Sequence, residues 1–182
     1  MIILSFDVGI RNLAYCQMDS LSKDILDWNI LDCSVPKNSN VILKLIEELD
    51  NVSNLLESDI ILIEKQPSFN PTMRIISTAI YVYFTMRLNY EKDLNTKILY
   101  YSAKNKLKLC SNTISLQLKN NNQNKGKKAK QQNYYYNKKA AIEQTIQLIN
   151  NSNNFSFSNY FNKSKKKDDL ADSYLQAISY IN

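Results

Sequence analysis

The sequence predicts an α/β fold in which an antiparallel meander of strands leads into a parallel crossover. Short apolar runs of strand length, bounded by turn residues, recur through the first third of the chain. The stretch VILKLIEELDNVSNLLE then carries apolar residues at helical spacing, and the apolar run DIILIEKQP follows it directly. Strand, helix, strand in that order is the pattern of a parallel crossover.

The elements follow in order. IILSF, residues 2–6, reads as a buried strand with Asp7 at its end, and Gly9 permits the tight turn that follows. LAYCQMD from Leu13 and ILDWNILDC from Ile25 read as the next two strands, which completes the meander. Between Val41 and Glu57, the positions Ile42, Leu45, Ile46, Leu49 and Val52 make one helical stripe. DIILIEKQP is the fourth strand, with Glu64 at its far end. After Pro67 and Pro71, the segment from Thr72 to Asn89 is read as a helix with an unusually wide apolar arc. Ile75, Ala79, Val82 and Met86 form one face, and Ile76, Ile80, Tyr83 and Phe84 widen it beyond what a single sheet covers. That width suits either a central core helix or one packed on the sheet on one side and on a second subunit on the other. KILYYS is a fifth strand, YNKKAAIEQTIQLI a helix fronted by lysines, and KKDDLADSYLQAISYI a last helix.

Composition narrows the chemistry. At 182 residues the chain is expected to form one domain over residues 1–182, within the usual range of about 50–250 residues. The longest uncharged apolar run, from Ile75 to Met86, is 12 residues, whereas a membrane-spanning helix needs about 20. MIILSFD meets a charge at Asp7 and has no basic leader, so it does not read as a signal peptide. Cys16, Cys33 and Cys110 stand alone, outside any metal-type spacing, which points to core filling and a reducing intracellular compartment. There is no histidine, which removes Ser-His-Asp and Cys-His catalysis and histidine-bound zinc. Two glycines, Gly9 and Gly126, are too few for a Walker loop or a dinucleotide fingerprint, so no nucleotide cofactor is expected.

The formal net charge of +6 is unevenly spread. Between Leu94 and Ile142 lie 11 lysines and no acidic residue, while the remainder carries 12 basic against 17 acidic residues. An acidic body therefore bears a basic strip. Within it, residues 119–133 (KNNNQNKGKKAKQQN) are low in complexity and are expected to form a flexible Asn/Lys-rich loop. The sign of the strip favours a polyanion, nucleic acid above all, over simple solvation. The adjoining run Tyr134 to Tyr136 would stack on bases or, more in keeping with its position, pack at the start of a helix.

The last helix opens on three aspartates, Asp168, Asp169 and Asp172, directly behind three lysines. Asp169 and Asp172 share a helical face at about 5–6 Å between Cβ atoms. Acidic residues in a first helical turn complement the helix dipole; crowded carboxylates equally suit a cation, and the motif alone does not choose. Asp7 and Glu64, each ending an apolar strand, add weight to the second reading, because strand ends of open sheets with parallel crossovers are where ligand crevices form. Four carboxylates without a histidine make a hard, oxygen-only set that suits Mg2+ or Mn2+.

SFDVGIRNLAY, IEKQP and KKDDLADSYLQA resemble, in order and context, the RuvC-like Holliday-junction resolvases of the ribonuclease H-like superfamily, and most of all the branch of poxviruses and other large DNA viruses, with mitochondrial relatives. The resemblance covers nearly the whole chain. It implies a five-stranded mixed sheet with helices on both faces, a homodimer, with the helix at 72–89 as its expected interface, and metal ligands Asp7, Glu64, Asp169 and Asp172, with Asp168 behind them. Basic residues near the metals are matched by Lys138 and Lys139, then by Lys104. Lys127 and Lys128 of the strip are candidate DNA contacts, and Phe69 matches an aromatic that stacks on an unpaired base. The implied reaction is Mg2+-dependent hydrolysis of four-way DNA, with two ions clamping the scissile phosphate. It leaves paired symmetrical nicks with 5′ phosphates and 3′ hydroxyls, in viral recombination or concatemer resolution. The implied location is the cytoplasm of an infected host, or a mitochondrion. A ribonuclease H-type nuclease on RNA–DNA hybrids and a non-catalytic branched-DNA-binding module are the competing readings.

Overall fold

The computed structural model describes residues 1–37, 39–92, 94–110, 127–152 and 154–182, with the side chains of Leu107 and of residues 127–132 left aside. Five strands form one mixed sheet in the order β3-β2-β1-β4-β5. They are β1 (Ile2–Asp7), β2 (Asn12–Asp19), β3 (Ile25–Asp32), β4 (Ile60–Glu64) and β5 (Lys97–Tyr101). β1 pairs antiparallel with β2 and β2 with β3, whereas β4 runs parallel to both β1 and β5. The meander and the crossover are thus joined through β1. At the turn into β2 a Cβ on Gly9 would lie 2.1 Å from the Asn12 carbonyl oxygen, so only glycine permits the chain to double back this close to Asp7.

Alternation along the strands divides the core into two layers. Leu4, Phe6, Ile61 and Ile63 face α1 (Val41–Asp50) and α2 (Pro71–Phe84). Ile3, Ile60 and Leu62 face α3 (Ala103–Leu109), α4 (Lys127–Asn150), α5 (Phe155–Lys163) and α6 (Lys167–Ile181). Helices therefore cover both faces. α6 is the most deeply set, burying Leu170, Ala171, Tyr174, Leu175, Ala177 and Ile178. Trp28 anchors it: the indole nitrogen donates to the Leu170 carbonyl at 3.1 Å, and the ring stacks on Phe161 of α5 at 5.1 Å between centroids. Cys16, Cys33 and Cys110 are free and buried.

The structure differs from the sequence reading at four points. The stripe beginning at Val41 breaks after Asp50, and its end is a short 3-10 turn, Ser53–Glu57. The helix after Pro71 is α-helical to Phe84 and widens into a π-helical turn over Thr85–Tyr90. Of the expected 119–133 loop, residues 119–126 lie outside the described residues, but Lys127–Asn133 are helical, the first two turns of α4. Lysine, glutamine and alanine are good helix formers, so a segment of low complexity can still be helical. Consequently Tyr134 and Tyr135 are not packed at a helix start; they stand exposed, two turns inside α4. The short helices α3 and α5 had no predicted counterpart, because seven and nine residues are too few to display a clear period.

Among the described residues no helix is long and apolar enough to cross a membrane.

Candidate active site

The parallel pairing of β1 with β4 aligns Phe6 with Ile63, which sets the two strand-end acids Asp7 and Glu64 side by side. α6 crosses the same edge. Gln176, fully buried, donates its amide to Ser5 Oγ at 3.0 Å and to the Phe6 carbonyl at 3.1 Å, fastening α6 to β1 immediately before Asp7. Asp172 lies one helical turn before Gln176, so this contact also sets Asp172 against the strand ends. Replacing Gln176 with leucine should lower unfolding stability by about 1–3 kcal/mol, since it strands the buried serine hydroxyl. Urea unfolding checks this, and an unchanged midpoint would deny the fastening role.

These elements enclose a cavity of about 330 Å3 whose lining includes Asp7, Glu64, Lys106, Lys138, Asp169 and Asp172. At its centre is a residue the sequence reading missed. Lys106 of α3 is buried, and its Nζ stands 2.9 Å from Asp172 Oδ2, 3.1 Å from Glu64 Oε1 and 3.5 Å from Asp7 Oδ1. The expected lysine, Lys104, is exposed on the same helix. The one clue in KNKLKLC is that Lys106 shares a helical face with Cys110, four residues on; both are buried. In the first turn of α6, Asp168 is paired with Lys138 of α4, while Asp169 lines the cavity. Lys139 points elsewhere and pairs with Glu143 at 3.8 Å. Lys127 and Lys128 begin α4, and Phe69 is 85% exposed in the loop between β4 and α2.

The electrostatics express one conflict. Burial drives the Asp7 carboxyl well above its usual value; Lys106 opposes this, and the neighbouring Glu64 adds to it. Asp172 is raised by burial, again against Lys106. Asp169 is raised by burial and by the charge of Asp168. For Lys106 itself burial favours the neutral amine, but the three carboxylates outweigh it and hold the ammonium above the ordinary lysine value. Asp168 would be raised by burial, yet the hydrogen bond from Lys138 brings it below the usual carboxylate value. One ammonium thus serves three acids, and the site remains short of positive charge.

Among the described residues no three His, Cys, Asp or Glu side chains are arranged to hold a metal ion as they stand. The reason is visible: the Lys106 ammonium occupies the point on which Asp7, Glu64 and Asp172 converge. It stands in for a cation there, and the oxygen-only donor set around it is that of a hard divalent ion.

The description "Poxvirus A22 protein" belongs to a family whose pattern this chain matches over residues 1–104. The chain belongs to the poxvirus A22 family. The matched region carries Asp7 and Glu64. Another relative of this A22-family chain is uncharacterized protein L451 of Acanthamoeba polyphaga mimivirus, 33% identical over 144 residues, which are 75% of this chain and 33% of that protein. The chain thus spans about a third of the length of that relative. Among solved structures, the fowlpox virus resolvase, determined in complex with substrate Holliday junction DNA, matches with a TM-score of 0.61 and 24% identity, covering 100% of this chain and 97% of that one. The yeast mitochondrial Holliday junction resolvase Ydc2 matches with a TM-score of 0.64 and 18% identity, over 98% and 78% of the two chains. RuvC of T. thermophilus gives 0.60 at 11% identity, over 98% and 91%. The A22-family chain shares their ribonuclease H-like fold.

Proposed function

We propose that this A22-family chain is a Holliday junction resolvase, a divalent-metal-dependent endonuclease that cuts four-way DNA by paired symmetrical nicks. The observation that carries the reading is the convergence of Asp7, Glu64 and Asp172 on a single cationic point, with Asp169 lining the same cavity. These four carboxylates would hold the metal, Mg2+ or in its place Mn2+, as two ions. Bound there, such ions would polarise the scissile phosphate and stabilise the departing oxygen. Lys106 and Lys138 line the cavity and present positive charge to the phosphodiester. Lys104, exposed on α3, extends that charge along the DNA, Lys127 and Lys128 remain candidate contacts by their place in the sequence, and Phe69 is available to stack on a base.

Two coordinated nicks need two sites, and α2 offers the surface for joining them. Its inner residues Ile76, Ile80 and Phe84 are buried in the core, whereas Ile75 and Val82 on the outer side, and Met86 in the π-helical turn that follows, are 58%, 51% and 49% exposed. Ile75 and Val82, with Ile42, Pro71 and Ala79, border a groove whose lining also includes Arg74 and Thr78. A second copy is the proposed occupant. Val82→Asp should shift the protein from dimer to monomer in sedimentation; wild-type protein sedimenting as a monomer would remove the dimer from the proposal.

The activity is tested on strand-labelled four-way junctions with Mg2+, set beside an RNA–DNA hybrid. Symmetrical cleavage of the junction, yielding ligatable 5′ phosphate and 3′ hydroxyl ends, is expected. Preferential cutting of the hybrid by a monomer would favour the ribonuclease H reading. Binding to junctions without cutting under any divalent ion would favour the non-catalytic one.

A further inference from the structure

We propose that a second cavity on the opposite face of the sheet, built on Lys65 and Arg74 and free of acids, binds a DNA backbone phosphate beside the scissile one. The proposal rests on the nuclease reading above. The cavity, of about 290 Å3, is lined by Lys65, Gln66, Arg74, Ser77, Thr78 and Tyr100. Its position follows from strand alternation. Lys65 extends the pairing of β4 by one residue, its amide donating to the Tyr101 carbonyl at 2.8 Å. Glu64 points to the α6 face, as Ile60 and Leu62 do; Lys65 therefore points to the α2 face, as Ile61 and Ile63 do. Tyr100 on β5 lies on that same side, stacked on Tyr81 of α2 at 5.4 Å between centroids.

The end of β4 thus carries an acid into one cavity and a cation into the other. Gln66 links the two: it lines the basic cavity while its amide donates to Glu64 Oε2 at 3.0 Å.

The chemistry of the lining selects an anion. It contains two cations, three hydroxyl residues and an amide, but no carboxylate. Among the described residues neither Lys65 nor Arg74 has an ion-pair partner, so both charges remain available to an anion. Both cations and the hydroxyl groups line the space that an anion would fill. Arg74 in the first turn of α2 adds a planar donor fork suited to phosphate. A DNA strand rises about 3.4 Å per nucleotide. Glu64 lines the carboxylate cavity and the next residue, Lys65, the basic one, so a strand passing the end of β4 would run from one to the other.

The test is binding of labelled four-way junction DNA in chelator, so that no cutting occurs, over a range of salt. The double substitution Lys65→Gln with Arg74→Gln should weaken binding about tenfold at moderate salt. It should also flatten the slope of log affinity against log salt by roughly two, and each single substitution by roughly one. Lys65→Arg, which keeps the charge, should restore wild-type behaviour. Equal affinity and slope for wild type and the double variant would overturn the phosphate site while leaving the nuclease reading intact. A wild-type chain that binds no four-way DNA would overturn both. The same donors would accept free inorganic phosphate: if that ion stabilises the wild type to heat while the substitutions leave junction binding unaltered, the cavity is a free-anion site and the assignment to DNA is wrong.

Discussion

Asp7→Asn and Glu64→Gln are each expected to reduce junction cleavage by about 10³-fold or more, equivalent to roughly 4 kcal/mol of barrier, while four-way DNA is still bound. Each substitution removes one of the carboxylates that converge on Lys106 Nζ, and the remaining acids do not make up a full set for divalent ions. Binding survives because phosphate contacts come from the lysines, and losing a negative charge beside the phosphodiester reduces repulsion. A readout independent of turnover accompanies this. Saturating Mg2+ or Mn2+ should stabilise the wild type against heat, as any ligand selective for the folded state does, by about 2.7 kcal/mol at a hundredfold excess over Kd. That increment should vanish in Asp7→Asn. Cleavage at near wild-type rates in either variant would end the assignment of these acids to the reaction.

Lys106→Met is expected to be the most destabilising single change at the site. It leaves Asp7, Glu64 and Asp172 crowded and largely buried without their shared cation, and removing one partner of a buried ion pair costs about 3–5 kcal/mol. For a chain of this size that is a fall of roughly 10 °C in thermal midpoint. The pH dependence has a definite sign. Asp7 and Asp172 are raised above the ordinary aspartate value even with Lys106 present. Without it they rise further, so the folded variant takes up protons at a higher pH than the unfolded chain does. A state that binds more protons gains stability as pH falls. The deficit relative to wild type should therefore narrow as the medium is acidified from neutrality toward the raised carboxyl range. Equal stability of variant and wild type across that range would mean that the acids do not meet.

Much of the fold was legible because its signals are local. Alternating and continuous apolar runs placed all five strands, and helical spacing placed α1, α2, the C-terminal half of α4, and α6. Each depends only on which residues lie within a turn or two of one another. Helices of seven and nine residues have too short a period to show, and the head of α4, rich in Lys and Gln, has no apolar stripe to show at all. The same limit governed the site. Asp7, Glu64 and the D-x-x-D stood out as acids at element ends, and their order resembles a known family. Lys106 carried no such mark: among the 11 lysines of the basic strip its neighbours in sequence are two more lysines of the same helix. Its selection over Lys104 depends on which side of α3 meets α6.

What the sequence by itself determined is therefore the inventory: strand and helix types, an acid at the end of β1 and of β4, a paired-acid helix, and an excess of basic charge between residues 94 and 142. Tertiary structure alone decided adjacency. The strand order β3-β2-β1-β4-β5 places β4 beside β1 rather than beside β3, and this brings Asp7 and Glu64 together across 57 positions of chain. It also decided that Lys106, and not its neighbours, is the cation they share, and that Lys65 turns to the opposite face of the sheet. The physical reason is that periodicity is written in short-range hydrophobic patterning, whereas the partners of a buried charge are set by which surfaces pack against one another once water is excluded.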